Sequence, residues 1–193
     1  MKVDAEIEKL RARWSGITVD QAWLRRKLDE RASDETTWDL RGLPIGEMLK
    51  GLKLKNVDFS YATFSGPAQL IECQITGSKF RGITLGTNIG SVFEDCDFQD
   101  SELGELLFRG RFTRCNFSHS KLDNARGVEV SFAECDFTGC VFKKTDFKRC
   151  VFNSCVFTET SFVRGVLSGS RFVGKHPLQD AFKNVHMPAV SFS

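Results

Sequence analysis

The chain lacks several features that would point to a common class of protein. No apolar run approaches the roughly 20 residues of a membrane-spanning helix, and the first residues contain no apolar stretch typical of a secretory signal. Neither sign of charge dominates, with 27 basic and 25 acidic residues. This balance argues against direct binding of nucleic acid. We therefore expect a cytoplasmic protein of one domain with a short appendage, and no membrane attachment.

The aromatic residues are mostly Phe, and they are distributed unevenly along the chain. The chain has 18 Phe, 3 Trp and 1 Tyr. All Phe and all Cys lie after residue 58, whereas Trp14, Trp23 and Trp38 lie before it. So sharp a change in composition predicts two regions with different types of structure, residues 1–50 and residues 51–193.

Residues 1–50 are predicted to be helical. Apolar residues at helical spacing predict an amphipathic helix over about residues 3–14. A second helix is predicted to begin at a capping box formed by Thr18 and Gln21, and to run to about Ala32. These helices either cap the region that follows or dock a partner.

The second region has a period of five. Large apolar residues, mostly Phe, recur at this spacing, and we call each one the centre of a unit. The unbroken run is Phe132, Phe137, Phe142, Phe147, Phe152, Phe157 and Phe162. A step of five would scatter side chains around a helix and alternate them across a flat strand. The chain must therefore turn a corner about every five residues, which winds it into stacked coils.

The residue two positions before each centre supports this interpretation. In an extended segment it points to the same side as the centre, and nearly all residues at this position are small. Residues adjacent to the centres are polar, as at Asp97, Asn116 and Lys148. The pattern predicts a solenoid with a narrow interior of large and small side chains.

Several units resemble the pentapeptide repeat family, whose pattern is a small residue, Asp or Asn, Leu or Phe, and two polar residues. Examples are Cys96-Asp97-Phe98-Gln99-Asp100, Cys115-Asn116-Phe117-Ser118-His119 and Cys135-Asp136-Phe137-Thr138-Gly139. The resemblance covers about residues 52–192. It implies an all-β solenoid, a right-handed quadrilateral β-helix with four units per coil. The resemblance does not explain residues 1–50, for which we rank a short helical N-terminal cap ahead of a docking segment.

The five-residue spacing is interrupted at a few places. It stretches around residues 66–69 and 86–90 and contracts between Phe108 and Phe112, while Gly127 and Pro177 occupy centres. These positions are either tolerated irregularities or binding loops.

No motif predicts a catalytic, metal or cofactor site. All seven Cys lie two residues before a centre, so we expect them to point inward as core residues. Cys73, Cys96, Cys115, Cys135 and Cys155 are predicted to form one ladder, one coil apart. The three His are isolated from any nucleophile that we can place beside them. We therefore expect a protein that is not an enzyme and has no cofactor.

Charge is distributed unequally along the repeats. Residues 51–105 contain four basic and eight acidic residues, whereas residues 106–193 contain 13 basic and seven acidic ones. A rod with oppositely charged halves would orient on a partner. The candidate partner surface comprises Glu94, Asp95, Asp97, Asp100, Glu102, Glu105, Lys143, Lys144, Lys148 and Arg149.

The C-terminal end of the solenoid has no recognisable cap. Phe182, Met187 and Phe192 continue the register to the end of the sequence. Because a solenoid exposes an apolar cross-section at an uncapped end, we expect this end to pack against a second copy in a two-fold homodimer.

The function predicted first is a non-enzymatic interaction module, a rigid rod that binds an unidentified protein. The family resemblance implies an alternative, because some members protect DNA gyrase and topoisomerase IV from quinolones or toxins by mimicking DNA. For that role residues 94–105 supply the acidic row, and the basic second half argues against mimicry over the whole surface. An immunity or resistance role against another toxin also remains open, and an enzyme of unknown class is the least supported reading.

Overall fold

The computed structural model describes residues 2–17, 19–31, 33, 35–46, 48–64, 69–83 and 87–193. Helix α1 spans Lys2–Ala12 and helix α2 spans Gln21–Asp29. The strands that follow are β1 (Trp38–Asp39), β2 (Pro44–Ile45), β3 (Leu49–Lys50), β4 (Lys53–Lys55), β5 (Val57–Asp58), β6 (Thr63–Phe64), β7 (Gln69–Ile71), β8 (Gln74–Thr76), β9 (Thr87–Ile89), β10 (Ser91–Glu94), β11 (Leu107–Phe108), β12 (Gly110–Thr113), β13 (Arg126–Val128), β14 (Ser131–Ala133), β15 (Val141–Lys143), β16 (Asp146–Lys148), β17 (Val151–Asn153), β18 (Ser161–Val163), β19 (Arg171–Val173), β20 (Phe182–Lys183) and β21 (Ser191–Phe192). A 3-10 turn, Gln179–Ala181, precedes β20.

These strands form a parallel β-solenoid with four faces, visited in turn in each coil. Face I contains β1 and β5 and continues through single bridges as far as Val156. Face II contains β2, β6, β15, β18 and β20, and face III contains β3, β7, β9, β11, β13 and β16. Face IV stacks eight strands, β4, β8, β10, β12, β14, β17, β19 and β21. The predicted fold class, an all-β solenoid, is confirmed.

The centres of the five-residue units fill the interior. On face IV, Phe93, Phe112, Phe132 and Phe152 are buried, and each ring stacks on the next at centroid distances of 4.8, 5.2 and 5.1 Å. Adjacent columns meet edge to face, as Phe93 and Phe98 do at 5.3 Å. This packing confirms that centres from every side share one narrow core.

The corners depend on left-handed backbone. The residue two positions after a centre adopts a positive φ at most corners, including non-glycine residues such as Asp100 (57°), His119 (58°) and Arg149 (52°). A residue in this conformation turns the chain at the corner. The centre of the next unit can then also point into the core. The five-residue spacing predicted corners without indicating which residue forms them.

The helical segment lies against the first coil. Trp23 contacts both Trp14 (6.3 Å between ring centroids, edge-on) and Trp38 (6.5 Å, stacked), while Leu24 is fully buried. Gly42 at the first corner approaches α1 so closely that a Cβ there would lie 2.8 Å from the backbone of Leu10. The segment is therefore packed into the solenoid core.

Side chains of this segment also reach backbone groups of the first coil, which have no preceding coil to pair with. The bonds are Arg13 to the Arg41 oxygen (2.8 Å), Trp14 Nε1 to the same oxygen (2.8 Å), Arg25 to the Lys50 oxygen (2.8 Å) and Arg31 to the Lys55 oxygen (2.7 Å). The Gln21 Oε1 atom accepts a bond from the Lys50 amide (2.6 Å). Side chains thereby provide hydrogen-bond partners for backbone groups at the open edge of the first coil.

Two details near the N-terminus differ from the predictions. The capping box at Thr18 is wrong, because α2 begins at Gln21 and its N-cap is Asp20, whose carboxylate accepts the Trp23 amide at 2.6 Å. Thr18 and Ala32 themselves lie outside the described residues, as do residues 65–68 and 84–86 at the two longer interruptions. Strands also begin before residue 51, since β1, β2 and β3 already pair with β5, β6 and β7.

Two glycines explain irregular spacings. At Gly110, which has a φ of 105°, an added Cβ would collide with the Ser91 carbonyl oxygen, so the contracted unit requires glycine. At Gly127 an added Cβ would lie 2.6 Å from the Phe147 ring. Phe147 therefore fills the space of the missing centre and reaches Phe108, two coils away, at 5.7 Å between centroids. Gly127 is a packing feature of the core.

We predict that Gly127→Ala destabilises the protein by about 1–3 kcal/mol, because the methyl group would overpack the core against Phe147. Chemical denaturation of Gly127→Ala, Phe147→Leu and the double variant would measure the coupling. The double variant should be more stable than the sum of the two single losses. Additive losses would contradict the contact.

Candidate partner-binding surfaces

The cysteines belong to the core. All seven are buried and free. Cys96, Cys115, Cys135 and Cys155 form a row at the corner between faces IV and I, and their thiols donate to carbonyl oxygens of the preceding coil, as Cys135 does to Phe112 at 3.5 Å. These contacts account for small, weakly polar residues at this position.

One member of the predicted ladder is misplaced. Cys73 lies at the next corner, between faces III and IV, where its amide donates to the Ser91 hydroxyl at 3.0 Å. The cause is a short coil, because Ile75 pairs with Phe93 only 18 residues further on. The prediction treated the step of 23 residues from Cys73 to Cys96 as one coil. It consists of a coil of 18 residues and one further five-residue unit.

Two of the thiols, those of Cys140 and Cys150, are poorly suited to chemistry. Burial raises the pKa of Cys140 to about 12 and that of Cys150 to about 11, so both stay protonated at neutral pH. Within the described residues, no group of three or more His, Cys, Asp or Glu side chains could hold a metal ion.

The six acidic candidates lie in a single coil. They follow the chain around faces IV, I and II, because consecutive residues of a solenoid run around its axis. We call this set the acidic ring: Glu94, Asp95, Asp97, Asp100, Glu102 and Glu105. The prediction of an acidic row along the rod is therefore wrong, because these residues run around the rod.

Basic side chains from neighbouring coils neutralise most of the acidic ring. Arg114 bonds Asp95 at 2.7 Å and Glu94 at 2.5 Å, and it lowers the pKa of Asp95 by this charge-assisted hydrogen bonding. Asp97 pairs with Arg81 at 2.6 Å and Glu102 with Lys121 at 2.8 Å. Two of the six, Asp100 and Glu105, occupy left-handed corners and have no ion pair with any described residue.

The four basic candidates are divided between two faces. Lys143 lies on face II and Lys144 at the corner between faces II and III, whereas Lys148 and Arg149 lie on face III and the corner beyond it. Three of them have acidic neighbours: Lys143 with Asp123 (3.7 Å), Lys148 with Asp146 (2.9 Å) and Arg149 with Glu129 (2.9 Å). Lys144 has no ion pair among the described residues.

The next coils extend the charge on face II. Lys143, Val163 and Lys183 are stacked in register, and the Lys144 amide bonds the Val163 oxygen, which places Arg164 at the next corner. We call Lys143, Lys144, Arg164 and Lys183 the basic edge. The sequence prediction missed Arg164 and Lys183, which a search at intervals of 20 residues would have found.

The candidate dimer residues meet at the last coil. Phe182 and Met187 are half-buried, and Phe192 is 43% exposed although it stacks on Phe172 at 5.3 Å. Faces II and IV end at β20 and β21, on which no described strand packs. An apolar surface and open backbone edges are thus exposed together.

Four parallel faces around a single core define a parallel β-solenoid. Residues 111–149 and 135–174 match the family model for pentapeptide repeats, with 8 copies. This stretch of the chain, residues 111–174, consists of pentapeptide repeats, as the resemblance predicted. No curated protein matches it. Among the described residues, no helix is long and apolar enough to cross a membrane.

Some solved structures are similar to this chain at low sequence identity. QnrB1, a plasmid-mediated fluoroquinolone resistance protein, is 14% identical over 77% of this chain and 92% of its own, with a TM-score of 0.36. HetL, a pentapeptide repeat protein of Nostoc sp. strain PCC 7120 involved in heterocyst differentiation regulation, is 9% identical over 90% and 92%, with a TM-score of 0.32. Rfr23 of Cyanothece 51142 is 9% identical over 88% and 92%, with a TM-score of 0.21.

Proposed function

We propose that this protein is a non-enzymatic, rigid interaction module whose basic edge binds an acidic surface of a protein partner. The observation that carries the proposal is the row of basic side chains on adjacent coils, of which Lys144, Arg164 and Lys183 have no ion pair among the described residues. The coil period places these residues on successive coils, so their backbones are separated by about one strand spacing, roughly 4.8 Å, per coil. A rigid row of one sign complements a partner row of the other.

The acidic ring supports the alternative less well. Protection of DNA gyrase or topoisomerase IV by partial mimicry of DNA needs negative charge that runs along the rod. Here the acidic residues circle the axis, and Arg81, Arg114 and Lys121 neutralise four of the six. Asp100 and Glu105 alone are a weak basis for mimicry. The gyrase hypothesis therefore ranks second.

We infer that residues 1–50 act as a cap, and the contacts that they make support this role. Their Trp cluster covers the apolar end of the first coil, and Arg13, Arg25 and Arg31 bond its backbone oxygens. These contacts favour a cap over a docking segment, because a docking segment would keep its apolar face for the partner.

The partner-binding proposal predicts that the triple variant Lys144→Glu, Arg164→Glu and Lys183→Glu loses its partner. Loss of three exposed ion pairs at about 0.5–1 kcal/mol each would lower the affinity for the partner by roughly tenfold or more. Immobilised wild type and variant would be compared by capture from bacterial lysate with mass spectrometry, and the affinity of the captured protein would then be measured at two salt concentrations.

The matched control is Lys53→Glu, Lys55→Glu and Arg171→Glu, which reverses three exposed charges on face IV. It should keep the partner. Equal losses in both variants would contradict a specific basic edge. Capture of gyrase or topoisomerase IV that survives the basic-edge variant, but is lost in Asp100→Lys with Glu105→Lys, would favour the alternative.

The C-terminal end is proposed to bind a second copy with two-fold symmetry. Phe192 and the half-buried Phe182 and Met187 supply the apolar contact, and isologous pairing of two identical ends would cover both. We expect a dimer at micromolar concentration by sedimentation, and a monomer for Phe192→Asp with Met187→Lys. A wild-type monomer at that concentration would contradict the dimer.

A further inference from the structure

Face I ends one coil earlier than the other three faces. In the last coil, face II pairs Phe162 with Phe182 and face IV pairs Phe172 with Phe192, while face III is continued by a bridge between Val166 and His186. On face I the bridges stop at Val156. The segment after residue 174 thus does not complete the fourth side of its coil.

The missing pairing leaves three specific backbone groups open. One coil earlier, the Phe137 amide donates to Val156 (2.9 Å), the Gly139 amide donates to Thr158 (2.8 Å), and the Cys135 oxygen accepts from Val156 (2.9 Å). The equivalent groups are the Phe157 amide, the Glu159 amide and the Cys155 oxygen. Among the described residues, no backbone hydrogen bond is made by any of these three groups.

A cleft separates this open edge from the segment that bypasses it. A cavity of about 460 Å³ lies between Val156–Glu159 and the stretch from Gly174 to Leu178, and a second of about 310 Å³ adjoins it. Phe157, Glu159 and Leu178 line both cavities. Phe157 is only half-buried, unlike Phe137 beneath it, and Leu178 is 75% exposed. The cleft is thus lined by the aromatic ring of Phe157 on one side and by the aliphatic side chain of Leu178 on the other.

Charges at the two ends of the larger cavity indicate how a segment would lie in it, while Asp180 and Lys183 line the second cavity. Lys175 lies two residues after the pairing of Asn153 with Val173, at the end of the cleft near Cys155, and Glu159 lies at the other end. Neither side chain has an ion pair with a described residue. A parallel strand would therefore gain from an acidic residue near its start and a basic residue near its end.

We propose that this edge binds an extended segment of a partner protein as an additional parallel strand. An apolar residue at the centre of that segment would stack on Phe157, and its backbone would accept from the Phe157 and Glu159 amides and donate to the Cys155 oxygen. Strand addition at an open sheet edge provides backbone hydrogen bonds for affinity and side-chain pockets for specificity. The site lies on face I, and although Lys183 of the basic edge lines the second cavity, no residue of the basic edge supplies the backbone groups that would bind the segment.

The probe is an acetylated and amidated heptapeptide, Ala-Glu-Ser-Asp-Phe-Thr-Lys, patterned on residues 133–139, which already pair in this geometry one coil earlier. Amide hydrogen exchange would be followed by NMR. In the protein alone, the Phe157 and Glu159 amides should exchange at least tenfold faster than those of Phe137 and Gly139. Saturating peptide should slow both at least tenfold.

The control is the same peptide N-methylated at its Asp, which removes the hydrogen bond to the Cys155 oxygen and should remove the protection. The proposal is overturned if the peptide has no effect, if the methylated peptide protects equally, or if both amides are already as slow as those of Phe137 and Gly139. Protection that rises with protein concentration alone would assign the edge to a second copy and would also overturn it.

Discussion

The structure depends on the stacking of phenyl rings along the axis of the solenoid. Rings in one column lie about one strand spacing apart, as Phe152 and Phe172 do at 4.8 Å with an interplanar angle of 9°. Backbone pairing and ring stacking therefore demand the same rise per coil. Because neighbouring columns meet edge to face, the interior accepts one large residue per side, and small residues such as Cys must occupy the corners between them.

This constraint decides which surface residues become neighbours. Residues adjacent in sequence are carried around the axis, whereas residues about 20 apart are stacked along it. The acidic ring illustrates the first case, and neighbouring coils supply cations that neutralise it. The basic edge illustrates the second, since Lys144 and Arg164 are brought together by the coil period. A functional reading of the charge pattern must therefore use the period of the coil.

The sequence predicted the solenoid because period, burial and composition agree at many units. It failed at Cys73, which was misplaced by an 18-residue coil. It also overlooked Arg164 and Lys183, because charges were compared within a stretch of chain and not at the 20-residue period of the coil. The cap of α2 was assigned to Thr18 because Gln21 follows at capping-box spacing, whereas the structure uses Asp20 as the N-cap. The open edge at Phe157 has a weak signal, Pro177 at a centre, which does not show that the following segment leaves the face.

The central claim, that successive coils stack at a constant rise, is tested most directly by pulsed electron paramagnetic resonance. Spin labels on Gln74→Cys combined in turn with Arg111→Cys, Arg171→Cys and Ser191→Cys follow one register of face IV, and the native thiols are buried from the label. The account predicts backbone separations of roughly 10, 24 and 29 Å, one strand spacing for each coil. Separations that do not increase in proportion to the number of coils would contradict it.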